Sequence, residues 1–466
     1  GASLDTRVYF FDKVLVCTAT LAWGVNLPAH SVVIKGTEVY DPAKGGSVDL
    51  SMLDVMQIFG RAGRPQFDTS GEATLITSHA ALPRYLQLLG HQAPIESNFL
   101  KQLPDHLNAE VVSGTVTSID EAVAWLSYTY LFIRMLKNPL SYGLDYDARE
   151  NDPELRMARF DRCTAAAKTL DERRMLRFDP RSGMLAVTDL GRTASHFYIQ
   201  HESIDVFNRM LTPHLSDSAA LHVLCHAQEF ANIKVRPEEV SEIGKMRQSC
   251  PLGVSGGAEE ASGKVSVLLQ AYISQVRPTA FTLVSDTNYA AQNGARVARA
   301  LFEVALRKGN CSLAICYLRL AKCIDRRMWW WESPLRQLQD NHSFRVPDSV
   351  MSKIEAKNPT VEQVLDMDAR EIGSLIHHER LGGHVLNAFR TLPRLEAHVE
   401  VQPVTRQILR VTVTLTPVFK WQHGNAEPFW VWVGSSDDER IFHSEHVTIS
   451  RKKKGGAHHQ GGGGGG

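Results

Sequence analysis

The sequence predicts a multidomain chain that is α/β at the front, mainly α through the middle and β at the end. Three observations predict it. Strand-like and helix-like apolar runs alternate through residues 1–100, helical spacing dominates 101–392, and after Pro393 the pattern switches to period two. At roughly 150 residues per domain, 466 residues suggest about three domains.

Lys and Arg number 51 against 51 Asp and Glu, and 43% of residues are apolar. That balance excludes bulk disorder and a wholly basic nucleic-acid binder, so any such contact must come from local basic stripes. No apolar run approaches the roughly 18 residues of a membrane span, and no membrane partner is expected. The chain opens on Gly1 without the pattern of a signal peptide. Seven scattered cysteines read as free thiols, buried as small hydrophobes in a reducing compartment. Cys311, Cys316 and Cys323 lie close together, but no zinc spacing occurs twice and no metal site is expected.

In residues 1–100, Val14–Cys17, Val32–Ile34 and Ala73–Thr77 are strand-like, and Met52–Phe59 has helical spacing before a Gly/Arg turn. This is the pattern of buried parallel strands, starting abruptly as though cut from a larger sheet. Ser118–Glu121 reads as a capping box opening a helix that carries Val123, Trp125, Leu126 and Tyr130, with Pro139 past its end. Met175–Phe178 and Met184–Val187 flank a turn and predict a small hairpin; helices followed by such a wing suggest a winged helix. Residues 201–340 are helical, with a Gly/Ser-rich break at Gly253–Gly263. Residues 345–392 predict two or three short helices, with Thr360–Gln363 as a second capping box. Ala397–Val401, Ile408–Leu415, Phe429–Val433 and Ile441–Ile449 have the alternation of an antiparallel β-sandwich. The region is shorter than the roughly 100 residues such a sandwich takes, so truncation is expected. The basic, glycine-rich segment 451–466 is expected to be disordered.

Two clusters carry chemistry. In Val16–Pro28, small hydroxyl residues follow a strand and suit phosphate contacts at its carboxyl end. In Gln57–Pro65, two arginines three residues apart each follow a glycine. The glycines allow close backbone approach, and two guanidiniums can clamp a polyphosphate and stabilise charge moving in phosphoryl transfer. Alone, each cluster describes a strand end or a basic turn; together, in an α/β setting, they point to a phosphate site. A third feature is Asn288–Lys308, where Gln292, Arg296, Arg299, Glu303 and Arg307 fall on one helical stripe. Val297, Leu301, Val304 and Ala305 supply apolar packing, and Gly309 suits the C′ position. By composition the stripe is a solvated polar face. Trp329–Trp331 and the Trp430/Trp432 pair read chiefly as packing groups.

The two clusters resemble motifs V and VI of superfamily-2 helicases. Ala22–Ala29 (AWGVNLPA) resembles the Ski-type branch that includes the large tandem-cassette RNA helicases. Asp54–Asp68 (DVMQIFGRAGRPQFD), Asn138–Gly143 (NPLSYG), Trp331–Gln337 (WESPLRQ), Glu427–Val433 (EPFWVWV) and Phe442–Glu445 (FHSE) extend the likeness over residues 13–450. The resemblance implies that 1–100 is the C-terminal half of a second RecA-like helicase domain and 101–200 a winged helix. Residues 201–340 become a helical bundle with a ratchet-like helix, 341–393 a helix-loop-helix, and 394–450 an immunoglobulin-like β-sandwich. It implies that Arg61 and Arg64 reach the γ-phosphate, that Gln57, Gly60, Gly63, Gly24 and Asn26 serve the nucleotide, and that Thr18, Thr20, Arg296 and Arg299 contact nucleic acid. The implied cofactors are ATP and Mg²⁺, held mainly by a first RecA-like domain. The implied partners are single-stranded RNA or DNA and the subunits of a cointegrator complex, with the ribosome a further candidate. The implied location is nucleus and cytoplasm, and the implied activity is 3′-to-5′ strand translocation in alkylation repair and ribosome quality control.

No G-x4-G-K-[ST] loop and no D-E-x-H box occurs in the chain; the nearest decoys are Gly257 with Gly263–Val265, and Asp171–Arg174. The chain is therefore expected to hold half of an ATP site and not to hydrolyse ATP by itself. The alternative is a nucleic-acid-binding or scaffolding module without turnover.

Overall fold

The computed structural model describes residues 9–11, 14–17, 29–41, 46–64, 68–90, 95–257, 259–339, 343–406, 408–421, 424–435 and 440–451. Contacts divide the chain into one compact unit of residues 1–205 with 228–238 and a second of 206–227 with 239–466.

In the first unit, β1 (Tyr9–Phe11) and β2 (Val14–Val16) form an antiparallel pair. Val14 and Val16 are exposed, which corrects the expected buried parallel strand: among the described residues β2 has a neighbour on one side alone. Strand β3 (Ser31–Lys35) leads into the hairpin of β4 (Glu38–Asp41) and β5 (Gly46–Asp49), then helix α1 (Met52–Phe59) and β6 (Glu72–Ile76). Strands β3 and β6 are parallel, as expected, in register Val33↔Thr74. Helix α2 (Leu82–Leu89) closes this part. Ile34, Leu50, Val55, Ile58 and Tyr85 form its core, and the Tyr85 hydroxyl donates to Leu50 O at 2.9 Å. Val33 and Ile76 on the opposite face are exposed, so β3 and β6 are parallel but not the buried strands expected: of their residues only Ile34 is buried.

Next come α3 (Leu103–Ser113), α4 (Ile119–Leu126), α5 (Tyr130–Lys137), α6 (Ala148–Asn151) and α7 (Arg156–Glu172). The hairpin β7 (Leu176–Phe178) and β8 (Leu185–Val187) follows, then α8 (Asp189–Phe197) and α9 (His201–Met210). The predicted wing forms, turning at Gly183 with φ +71°. The single helix expected after Ser118 is two. Thr129 divides it, its hydroxyl donating to Leu126 O at 2.7 Å and accepting from Phe132 N at 3.4 Å. The Ser118 hydroxyl accepts from Glu121 N at 3.3 Å, but the Glu121 carboxylate takes Thr117 N at 2.6 Å, one residue before the capping position. Only half of the expected box forms there.

The second unit is built on α10 (Asp217–Cys225), α11 (Val240–Gln248), α12 (Ala261–Ile273), α13 (Phe281–Arg307) and α14 (Cys311–Arg326). The helix expected from Asn288 begins earlier, at Phe281, and Gly309 follows its end at φ +73°. Helices α15 (Asp348–Lys357), α16 (Val361–Asp366), α17 (Ala369–Leu375) and α18 (Gly382–Phe389) pack around Met351, Ile372, Ile376 and Phe389. They exceed the two or three expected because a second capping box, Asp368 with Glu371, starts α17 directly after the Thr360–Gln363 box starts α16.

The β region forms β9 (Leu395–Pro403), β10 (Leu409–Pro417), β11 (Ala426–Gly434) and β12 (Ile441–Ser450). They pair as two separate hairpins, β9 with β10 and β11 with β12. No described residue of these strands is buried, so the expected truncated sandwich is corrected to two separate ribbons. Each has too little facing apolar surface to make a core alone. Trp430 on β11 nonetheless meets Phe302 of α13 edge-on, centroids 5.0 Å apart, and Ile441 N donates to Gly309 O at 2.7 Å. The expected alternation thus docks the second ribbon on the long helix. The seven cysteines are free; Cys163, Cys225, Cys316 and Cys323 are buried, while Cys17 is exposed, against expectation. Residues 452–466 lie outside the described residues.

Candidate nucleotide and nucleic-acid interface

The Gly-Arg-Ala-Gly-Arg turn follows from how α1 starts and stops. The Ser51 hydroxyl caps the helix, accepting from Asp54 N at 3.2 Å. Val55 and Ile58 face the core, and the helix releases at Gly60. Ala62 then bridges in parallel to Ala29, the last residue of the AWGVNLPA stretch: Ala29 N donates to Arg61 O at 2.9 Å and Gly63 N to Ala29 O at 2.7 Å. This pairing joins the second cluster to the end of that stretch by backbone hydrogen bonds. Gly63 takes φ +89°, and Gly71 lies against it so closely that a Cβ there would fall 2.6 Å from Gly63 N. Ala29 and Gly71 lie just before β3 and β6, so the turn sits where these two strands begin. Thr18, Thr20, Gly24 and Asn26 lie outside the described residues.

Gln57 and Gly60 are exposed, and Arg61 and Gly63 half-buried. Arg64 is gripped by Asp68, Nε to Oδ2 at 2.6 Å and Nη2 to Oδ1 at 2.9 Å, while the Arg64 N–H donates to Oδ2 at 3.0 Å. The carboxylate side chain is 10% exposed against 45% for Arg64. Hydrogen bonding to Arg64 holds the Asp68 carboxyl well below the usual carboxylate range. A phosphate arriving at Arg64 therefore competes with, or shares, an existing bidentate partner. Two guanidiniums and a glutamine amide fit phosphate oxygens. They do not fit Mg²⁺, because the carboxylate at the turn is already committed to Arg64.

The second patch is α13. Gln292, Arg299 and Arg307 are exposed and Arg296 and Glu303 half-buried, while Val297, Leu301, Val304 and Ala305 are buried. The predicted stripe is therefore realised. Gly294 lets α13 approach α12, since a Cβ there would meet Leu269 Cδ2 at 2.9 Å. Arg296 Nη2 donates to Asn293 Oδ1 at 2.6 Å, and Arg299 pairs with Asp325 of α14. The Arg299 side chain is 57% exposed, and pairs this wet are worth about 0–1 kcal/mol, so a phosphate can exchange for Asp325.

The phosphate-loop decoy is a core element. Lys264 is fully buried in α12, its Nζ 2.6 Å from Glu239 Oε2 and 2.7 Å from Asp286 Oδ2. Trp329 is buried and donates from Nε1 to Ser274 Oγ at 2.9 Å, stacking on half-exposed Trp331 at 4.7 Å. That is the packing role expected.

Sequence reasoning missed Asp68, Gly71, Asp325 and a cluster in the first unit. There His201 Nδ1 lies 3.0 Å from Asp105 Oδ2 and 2.9 Å from Glu202 Oε2. Asp68 was legible as an acid four residues after Arg64; Gly71 meets Gly63 only through the folded turn, and Asp325 and Asp105 reach their partners across 26 and 96 residues. Asp105, His201 and Glu202 thus bring three possible ligand atoms within 4.8 Å of one another.

A family model described as the Sec63 Brl domain matches residues 187–460, and one described as a winged helix-turn-helix domain matches 96–167. Activating signal cointegrator 1 complex subunit 3 of Gallus gallus is 48% identical over 445 residues, covering 94% of this chain. DExH-box ATP-dependent RNA helicase DExH14 of Arabidopsis thaliana is 47% identical over 444 residues, again 94% of this chain. The U5 small nuclear ribonucleoprotein 200 kDa helicase of Drosophila melanogaster is 46% identical over 443 residues, with the same coverage. The chain spans 20% of the length of each of these relatives.

Proposed function

The chain belongs to the Sec63 Brl domain family, and from that premise we propose that it is the C-terminal part of an ATP-dependent nucleic-acid helicase cassette. In this reading the cassette translocates 3′ to 5′ on single-stranded RNA or DNA. The observation that carries it is the backbone pairing of Ala29 with Arg61 and Gly63, which ties one helicase-like motif to the other.

ATP, when bound, supplies the phosphoryl group whose transfer drives movement. Arg61 and Arg64 place positive charge against its phosphates, Asp68 orients Arg64, and Gly63 with Gly71 keeps the turn close to the sheet. Mg²⁺ and the phosphate loop belong to a first RecA-like domain. Arg296 and Arg299 grip successive phosphates of the strand. The likeness to cointegrator subunits supports work beside other subunits of such a complex, in nucleus and cytoplasm. Alkylation repair and the splitting of stalled ribosomes are the settings we favour.

The test is binding of a fluorescent single-stranded oligonucleotide by the 466-residue chain across a salt series. Arg296→Ala plus Arg299→Ala is expected to weaken binding about tenfold and to reduce the log–log salt slope by about 2, one per lost phosphate contact. An unchanged affinity and slope overturns the strand-gripping role of α13. In a protein that joins this chain to an ATPase front half, Arg61→Ala or Arg64→Ala is expected to lower strand-stimulated ATP hydrolysis by about 10³-fold or more. Undiminished hydrolysis overturns the helicase-cassette reading of the turn.

A further inference from the structure

A cavity of about 440 Å³ opens between the end of α18 and the end of β10. Phe389, Arg390, Arg394, Val418, Phe419 and Lys420 wall it, and none of its lining residues is acidic. Two backbone hydrogen bonds hold the cations around it: Lys420 N donates to Arg390 O at 2.8 Å and Val418 N to Arg394 O at 3.1 Å. The Lys420 ammonium reaches Asn387 Oδ1 at 3.4 Å, a neutral partner. Among the described residues, neither Arg390 nor Arg394 pairs with a carboxylate.

Three cations gathered in one concavity repel one another and focus a positive field into it. Arg390 and Lys420 are exposed and Arg394 half-buried at its mouth, and no carboxylate of the lining competes there with an incoming anion. The remaining walls are apolar and aromatic, which inorganic phosphate does not use. The volume is within the range of roughly 300–1,000 Å³ of small-ligand pockets. A flat ring system joined to a phosphate meets both demands.

We propose that this cavity is a nucleotide-binding site, with the phosphate held by Arg390, Arg394 and Lys420 and the base against the apolar walls. The site is separate in sequence from the Gly-Arg turn and from the α13 stripe, and does not depend on either. The nucleotide is either free or one unit of a strand.

The experiment is calorimetric titration of the whole 466-residue chain with adenosine monophosphate, adenosine and inorganic phosphate. The nucleotide is expected to bind at least about tenfold more tightly than either fragment. Arg390→Gln plus Arg394→Gln is expected to weaken it about tenfold or more, with far-UV circular dichroism unchanged, and Arg390→Lys plus Arg394→Lys to restore part of the loss. Lys420→Gln alone, a surface change, serves if the double variant misfolds. Nucleotide that stays bound when Arg61 and Arg64 are both alanine but is lost in the Arg390 and Arg394 glutamine variants lies here and not at the Gly-Arg turn. With Arg296 and Arg299 both alanine, so that the α13 stripe does not contribute, tighter binding of a 5′-phosphorylated single-stranded oligonucleotide than of the monophosphate assigns the site to a strand; the reverse assigns it to a free nucleotide. Adenosine binding as tightly as the monophosphate, or folded glutamine variants with undiminished affinity, overturns the proposal.

Discussion

Arg64 and Asp68 meet through two parallel side-chain hydrogen bonds, 2.6 and 2.9 Å long, and a third from the Arg64 backbone N–H. The second arginine of the turn is thereby aimed by a carboxylate four residues on. Asp68→Asn keeps the shape and removes the charge. It is expected to speed hydrogen exchange at the Arg64 amide several-fold, measured by exchange mass spectrometry. Because the folded carboxyl sits below its ordinary value, the contribution of the pair is present at neutral pH and is lost as pH falls. In the native protein, protection at that amide is therefore expected to persist below the ordinary aspartate value of about 3.9.

Gly71→Ala is expected to disturb the turn without touching any arginine. Its Cβ would fall 2.6 Å from Gly63 N and 2.7 Å from Ala62 C, both backbone atoms with little room to yield. The cost is expected at about 1–3 kcal/mol, read as a lower urea midpoint for the first unit. A wild-type midpoint refutes the close approach.

Lys264→Met is expected to destabilise the second unit by about 3–5 kcal/mol, because it leaves Glu239 and Asp286 buried without a counter-charge. Adding Glu239→Gln and Asp286→Asn removes the stranded charges and is expected to recover much of that loss. Denaturant titration of the single and triple variants checks both statements.

Burial pushes the Asp105 carboxyl up to about 7, against the opposing charges of His106 and Arg173. A carboxyl with a raised folded value favours folding at low pH and loses that contribution as pH rises through the folded value. Stability of the first unit is therefore expected to fall between about pH 4 and pH 7, by about 1–3 kcal/mol after allowance for the His201 N–H and ring bonds. Asp105→Asn is expected to flatten that slope. A slope unchanged in the variant refutes the assignment to Asp105.

Period and punctuation in the sequence were enough to place α1, the wing, the α13 stripe and the strands of both ribbons within a few residues. These features are local: each rests on spacing of apolar groups or on a hydroxyl next to a free amide. Where the reading missed, the competing signal was also local, as at Thr129, whose hydroxyl divides α4 from α5, and Asp368, whose box opens α17.

The candidate site divides in the same way. Arg61 and Arg64 stood out because two arginines three residues apart, each after a glycine, suggest phosphate chemistry within one turn. Arg296 and Arg299, by contrast, were singled out by the family resemblance, their stripe reading by composition as a solvated face. Their partners were less legible: Asp325 reaches Arg299 across 26 residues, and Gly71 presses on Gly63 from the start of another strand. Lys264 illustrates the limit, since its neighbours in sequence resemble a phosphate loop and its neighbours in space are two buried acids. By itself the sequence determined the helices, the strands and the arginines. The tertiary structure decided which charges those arginines and lysines face. Hydrogen-bond and ion-pair energies depend on distances of a few ångströms between segments that only the folded chain brings together.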